Sequence, residues 1–481
     1  MRKILPLLLL LLTTSLGFAQ GSQQFRPDGT YVIAHFSDLH LNSGEPGTNA
    51  RTLESIRSIL ATEKPDMAIF NGDVVTANPA PEAWKELIRL MNELRVPFVA
   101  NNGNHDPEYM TRSEIFDLLK TSPYYIGEKG PEELTGMGNC IVPIYSRDKH
   151  QKTLLYFLDS NDYFPNQYIQ HYDWIHFDQI AWYRQMSAAM TEENGGEPLP
   201  ALMFFHIPLP EFGVLSDNPK TFGNTREGVA SSKLNSGLFA SVVEMGDVMG
   251  IFSGHDHSND MLGIHCDVAL GYGRVSGWGA YGLLDRGARI IKLYEGERRF
   301  DTWVTTPNGG HEGTYYYPSG INSIEEGEAT YLPALEVKPE KQGVAYTYYE
   351  GEFKLTTQVT EDHAVASGTT SNFNIDLSDL ADHFAYKFRT YIHIPERGIY
   401  RFYTYSDDGS VLYIDGQKLV DNDGGHSSRM IEGTVALEAG FHLLEVHYFE
   451  DYMGNELEVG LISRSMLRQP IPSEMLFLPE K

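Results

Sequence analysis

The chain has 481 residues, 41% of them apolar and 21% charged, with a formal net charge of −28. That length supports two or three domains with sizeable cores, and the composition excludes global disorder. The negative balance repels phosphate backbones and excludes stable, sequence-independent nucleic-acid binding, though not a phosphate substrate in a site whose metal ions invert the local field.

In chain order, the first segment is a leader. A basic start, "MRK", precedes the apolar run "ILPLLLLLL", and "GFA" closes it, so a secretory signal over residues 1–19 with cleavage after Ala19 is expected. No later segment approaches the ~18 apolar residues of a spanning helix. The mature protein is therefore expected outside the cytoplasm, secreted or periplasmic. From residue 30 to about 305, apolar β-rich runs alternate with helical periodicity. The runs are "TYVIAHF" (30–36), "DMAIFN" (66–71), "VPFVANN" (96–102), "TLLYFLDS" (153–160), "ALMFFHI" (201–207) and "VMGIFS" (248–253). Between the first of them, Leu53, Ile56, Ile59 and Leu60, then Trp84, Leu87, Ile88, Met91 and Leu94, recur at helical spacing. Alternating strands and helices predict βαβ units, and near-continuous apolar strands predict central β-sheet buried on both faces by helices.

Residues 306–342 are rich in Gly, Pro and Glu and read as a linker or wrapping segment. From 343 to 464 short alternating strands and "DG" turns predict an all-β sandwich. The two cysteines, Cys140 and Cys266, make no disulfide framework and are read as small buried hydrophobes, with a pair allowed in an oxidising compartment.

Polar residues follow the apolar strands of the first region as a set. "FSDLH" places Asp38 and His40, "NGDVV" Asp73, "NGNHD" Asn104, His105 and Asp106, "FFHIP" His206, and "SGHDHSND" His255, Asp256 and His257. In an open α/β sheet these would converge in one crevice at the carboxyl ends of the strands. Singly each has an ordinary explanation: a turn for "GD", a core position for His206. Together they mix carboxylate, carboxamide and imidazole, which suits first-row divalent ions such as Mn, Fe or Zn, whereas calcium or magnesium favours an all-oxygen shell. Gly72, Gly103 and Gly254 stand before three of the segments and let the backbone approach closely.

The order D-x-H, GD, GNHD, H, GHDH resembles the calcineurin-like metallophosphoesterase superfamily. With "FFHIPLPE", "NSGLF" and "RGAR" it is similar to the branch related to purple acid phosphatases, over about residues 30–305. The resemblance implies an α/β sandwich of sheets flanked by helices. It gives Asp38, His40 and His257 to one metal, Asn104, His206 and His255 to a second, and Asp73 to both. His105 would face the leaving group, and Asp106 and Asp256 would orient imidazoles. "NGDVV" lacks the tyrosine that colours purple acid phosphatases, so a colourless site is expected. Two such ions imply hydrolysis by a hydroxide held between them, with His105 protonating the departing alkoxide. The long segment 208–239 reads either as a lid bringing Arg226 or Asn235 to substrate, or as an exposed excursion. His35, His150, His171, His176 and His265 read as structural or surface residues.

"GVAYTYYEG", "SDDGSVLYIDGQKLV" and "LEAGFHLLEVHYFE" resemble the protective-antigen-type β-sandwich module over 343–464. In sugar-binding members, adjacent aspartates hold a calcium ion that grips glycan hydroxyls. Asp407 and Asp408 match them, with Asp421, Asn422 and Asp423 as weaker candidates; "SDDGS" is also a turn signature. The expected activity is that of a dinuclear hydrolase of phosphate esters, monoesters before diesters. The alternative is a carbohydrate-binding or adhesion protein with a phosphatase-like scaffold.

Overall fold

The computed structural model describes residues 23–168 and 171–479, so the expected leader lies outside the described residues. The chain divides into two compact units, Met1–Glu297 with Val304–His311, and Arg298–Trp303 with Glu312–Lys481.

The first unit is built on two sheets. Strands β1 (Thr30–Ser37), β2 (Met67–Asn71) and β3 (Phe98–Asn101) run parallel, Ala34 opposite Ala68 and Phe70 opposite Ala100. Helices α1 (Pro46–Glu63) and α2 (Ala80–Leu94) make the crossovers, and α3 (Arg112–Leu119) follows β3. Both crossovers bury most of the predicted stripes, Ile56, Ile59 and Leu60 on α1 and Trp84, Leu87, Ile88 and Met91 on α2, while Leu53 and Leu94 are half-buried. The second sheet is ordered β4-β5-β6-β7-β9-β8, from β4 (Cys140–Tyr145), β5 (Gln151–Phe157), β6 (Ala201–Phe204), β7 (Val248–Ser253), β8 (Leu262–His265) and β9 (Val268–Tyr272). Strands β5, β6, β7 and β9 are parallel neighbours, and β4 and β8 run antiparallel at the edges. Helices α4 (Phe177–Glu193) and α5 (Leu238–Met245) belong to this half. Strand β10 (Arg274–Val275) pairs parallel with β1, and β11 (Ala288–Tyr294) antiparallel with it.

Every residue of β1, β2, β3, β6 and β7 is buried. Such strands cannot carry solvent-facing polar residues, so their near-continuous apolar text is a consequence of being covered on both faces. Between the sheets, His35 packs edge-on to Phe204 and Phe252, and Phe204 stacks on Phe157 at 5.4 Å. Each fully buried phenylalanine of this kind contributes about 2 kcal/mol.

The second unit contains a seven-stranded and a four-stranded sheet. Strand Phe384–Ile394 alternates buried and exposed residues along its outer half, as one-sided burial requires. Phe384, Tyr386, Phe388, Leu412, Val446 and Leu461 meet in its core. The "DG" of Asp415–Gly416, at φ 48° and 77°, closes the hairpin between Ser410–Ile414 and Gln417–Asn422. By contrast "SDDGS" carries the chain from one sheet to the other, because Gly398–Asp407 and Ser410–Ile414 belong to different sheets. The Gly/Pro/Glu-rich segment is more ordered than its composition implied. It holds a hairpin with Tyr315 opposite Asn322, then a helix, Ser323–Glu328, capped by the Asn322 side chain.

Cys140 and Cys266 are both free thiols. The expectation of two buried thiols holds for Cys140 only. Cys266 is exposed because it occupies, with Asp267, the tight turn between β8 and β9, both residues having positive φ.

Candidate metal centre

All five polar segments end parallel strands of the two sheets at one place. Asp38 and His40 follow β1, Asp73 follows β2, Asn104 and His105 follow β3, His206 follows β6, and His255 and His257 follow β7. The strand ends turn abruptly. Asp38, His40, Asp73 and His255 all take positive φ, between 48° and 79°. Left-handed backbone at non-glycine residues costs free energy and persists where the surroundings over-determine it, which is typical of working sites. The glycines answer to space as well: a Cβ on Gly103 would lie 2.2 Å from Asp73 Oδ1, and one on Gly72 would lie 2.3 Å from the His206 ring.

The side chains form two triads, Asp38–His40–His257 and Asp73–His206–His255, each with its ligand atoms within 4.8 Å of one another. Asp73 lies between them: its Oδ2 is 3.2 Å from His206 Nε2 and 3.8 Å from His40 Nε2. Asp38 Oδ1 is 3.3 Å from His257 Nε2. His40 Nε2 and Asn104 Oδ1 are buried and make no hydrogen bond, and His206 Nε2 meets only carboxylate. Buried polar atoms are ordinarily satisfied, so these atoms beside the two triads fit ions bound among them.

Electrostatics agrees. Burial would raise both carboxylates, but the His257 and His206 imidazoles hold Asp38 far below the usual carboxylate range, and His206 and His40 do the same for Asp73. Burial depresses His40 to about 4 and His255 to about 3, keeping both neutral as ligands must be. His206 differs: against its burial, Asp73 and Asp38 raise it to about 10. An ion there must displace that proton, so uptake releases it and strengthens as pH rises.

The scaffold beneath was not visible in the motifs. His206 Nδ1 is held by the Asn71 carbonyl at 2.8 Å, which turns Nε2 to the pocket. The Asn71 side chain, at the end of β2, donates to the Phe205 and Phe252 carbonyls at 3.0 and 3.1 Å. Asn101, at the end of β3, donates to Asn71 Oδ1 and to the Phe204 carbonyl, both at 3.1 Å. These amides sew one sheet to the other under the site. Their signal in the sequence is a polar residue closing an otherwise apolar strand. Asn71→Ala removes, in a dry interior, the bonds of its amide to the Phe205 and Phe252 carbonyls and the oxygen to which Asn101 donates. The expected cost is about 3 kcal/mol, measured by thermal or denaturant unfolding of metal-free protein.

The hydrogen bonds of Asp106 and Asp256 run to backbone amides and, for Asp256, to a tyrosine hydroxyl, not to the imidazoles they were expected to orient. Asp106 accepts the amides of Val74, Val75 and Gly103 at 3.0, 2.9 and 2.7 Å, tying the β2 and β3 ends together. Burial and the Asp73 charge raise it to about 7. Asp256 accepts the Ala230 amide and the Tyr272 hydroxyl. Asn259 and Asp260 likewise accept amides of Arg226, Glu227 and Asn224, so "GHDHSND" holds the long segment 208–239 against the site. Arg226 is exposed, and Asn235 hydrogen-bonds Glu211 within the same segment.

His105 is partly exposed at the rim. Its amide donates to Asp73 Oδ1 at 2.9 Å, and its Nδ1 is 2.7 Å from Glu108, a partner three residues on that motif reading passed over. The rim has further members missed in the sequence. Residues 162–164 pair antiparallel with 171–173 in a hairpin, bringing Tyr163 to Asn104 and Tyr172 edge-on to His255 at 4.6 Å. Tyr281 lies 4.0 Å from the His257 ring and donates to Glu227. Of the histidines read as structural or surface, His171 packs on Tyr163 and Tyr172 in that hairpin.

In the second unit Asp407, Asp408 and Glu450 form a third cluster of metal-ligand type. Asp408 accepts amides of His426 and Asp451 at 2.8 and 3.0 Å. Glu450 is buried, is raised to about 8 by burial and Asp408, and has one oxygen, Oε1, with no partner. Asp423 instead caps Thr356, Asp421 pairs with Lys418, and Asn422 bonds Ser406 and Arg429.

Residues 31–259 match the family Calcineurin-like phosphoesterase and residues 340–467 the PA14 domain. Among curated proteins, the chain is 31% identical to "Probable inactive purple acid phosphatase 29" of Arabidopsis thaliana, covering 58% of this chain and 81% of that one. It is also 31% identical to "Probable inactive purple acid phosphatase 28" of the same plant, covering 58% and 79%. A solved dimetal phosphatase from Danio rerio is 10% identical at a TM-score of 0.40, covering 58% of this chain and 96% of that one. No helix among the described residues is long and apolar enough to cross a membrane. The chain belongs to the calcineurin-like phosphoesterases, in the branch related to the purple acid phosphatases, and carries a PA14 domain after the phosphoesterase domain.

Proposed function

We propose that the chain is an exported phosphoesterase working with two divalent transition-metal ions, Mn, Fe or Zn, with phosphomonoesters favoured over diesters. The observation that carries this reading is the pair of triads with Asp73 of one lying 3.8 Å from His40 of the other, and with buried, unpartnered atoms on His40 and Asn104 beside them. Asp38, His40 and His257 would hold one ion, Asn104, His206 and His255 the other, and Asp73 both. Bound ions would supply charge neutralisation for the phosphoryl oxygens and acidify water. The chain itself does the rest. Asp73 fixes the spacing of the two sites and, through the His105 amide, the position of the acid. His105 delivers a proton to the leaving oxygen, its Nδ1 steadied by Glu108 so that Nε2 is free.

The names of the plant relatives state inactivity, which favours a scaffold as the second reading. A scaffold has no need of seven ligand-type residues, four of them held in left-handed backbone, so hydrolysis is preferred. One experiment separates them. Metal-reconstituted protein is assayed on p-nitrophenyl phosphate, bis-p-nitrophenyl phosphate, nucleotides and sugar phosphates. Turnover that chelator removes and Mn, Fe or Zn restores is expected; no turnover with any of them establishes the scaffold.

We also infer that Asp407 and Asp408, joined by Glu450, form a calcium site able to grip glycan hydroxyls. Calcium binding by isothermal titration is expected for the wild type and lost in Asp408→Asn. An unchanged titration in that variant would remove the site.

A further inference from the structure

We propose that Tyr163 is a positioning residue for the second ion, setting which end of the Asn104 carboxamide the ion meets; this rests on the dinuclear reading above. A carboxamide binds a cation through oxygen and repels it through its NH2, yet its two ends have nearly the same shape, so something must choose between them. Here the Asn104 Nδ2 donates to the Tyr163 phenol oxygen at 2.9 Å, which turns Oδ1 into the pocket, where it is buried with no hydrogen-bond partner. The arrangement is mutually reinforcing. An ion on Oδ1 polarises the amide and makes its N–H a better donor, and the phenol oxygen in turn makes Oδ1 a stronger ligand.

Tyr163 is itself held from several sides. Its amide donates to Asp162 Oδ1, and Asp162 pairs with Arg112, which also pairs with Asp159. Its ring stacks on Tyr172 at 5.8 Å and tilts against His171 at 5.3 Å. Tyr172, across the same hairpin, stands edge-on to His255. These paired segments therefore reach two of the three side chains assigned to the second ion alone, which gives the test its selectivity.

The test is Mn2+ titration calorimetry on the full chain, wild type beside Tyr163→Phe and Asn104→Ala. Phenylalanine keeps the ring, its stacking and its volume, and removes only the oxygen. The expected result is two ions in the wild type. In Tyr163→Phe the second ion binds about tenfold or more weakly, the first is unchanged, and the melting temperature of metal-free protein stays where it was. Asn104→Ala should weaken the same ion further. If Tyr163→Phe binds both ions with wild-type affinity while Asn104→Ala loses one, the assignment is overturned. Equal weakening of both ions, or a lowered melting temperature with no selective loss, overturns it too, because either describes a merely structural residue. A wild type that binds two ions and hydrolyses none of the esters removes the phosphoesterase reading and leaves the positioning role supported by the calorimetry. A wild type that binds a single ion overturns both.

Discussion

Replacing Asp73 by alanine is expected to lower kcat/KM for every ester by more than about 10³-fold, which at 1.36 kcal/mol per decade is about 4 kcal/mol of transition-state stabilisation. The size follows from its place. Asp73 lies within 4 Å of imidazoles from both triads, at 3.2 Å from His206 and 3.8 Å from His40. It also receives the His105 amide at 2.9 Å. Removing it takes a shared negative charge from two cation sites at once and loosens the strand end bearing the acid. Metal analysis should show the paired site lost. If Asp73→Ala protein, reconstituted with metal, keeps full activity, the dinuclear scheme is wrong.

His105→Ala should behave differently. His105 lies at the rim and belongs to neither triad, so both ions should remain. The expected loss is in kcat, about 10²–10³-fold for alkyl phosphates, the range of a general acid. For p-nitrophenyl phosphate, whose leaving group departs without a proton, the loss should be less than about tenfold. Steady-state kinetics on both substrates, with metal content measured in parallel, checks this. The same loss for both leaving groups would remove the proton-donor role.

The centre was legible in the sequence because its ligands are chemically unusual for where they stand. Asp, Asn or His after one apolar strand has an ordinary explanation, but five such places in one order leave little room for coincidence. The α/β layering was legible for the same reason, since buried strands and amphipathic helices have different periods. What escaped was whatever looks ordinary in one dimension. Asn71 and Asn101 are single polar residues at strand ends, and their purpose appears only when the second sheet supplies the carbonyls. Tyr163 and Tyr172 lie among many tyrosines and acquire meaning from a hairpin that no periodicity announces. Asp106 and Asp256 sit beside imidazoles in the text, but their oxygens point at amides. Glu450 closes a strand some forty residues beyond "SDDGS" and joins it only through sandwich packing. The 306–342 segment reads by composition as a linker or wrapping segment, and the hairpin and the helix capped by Asn322 within it gave no signal there.

The amide seam has a consequence for how this protein can diverge. The ligands hang from strand ends joined to one another through backbone carbonyls and buried asparagines. The paired segments 162–164 and 171–173, the 208–239 segment and the turn bearing Tyr281 are attached largely by side-chain hydrogen bonds that a few substitutions could remake, with short backbone bridges at Phe222 and Thr225. Inheritance can therefore act on the two separately. The rim is free to lengthen, shorten or change its aromatic residues and so select a different ester, while the reactive centre passes unaltered from one descendant to the next.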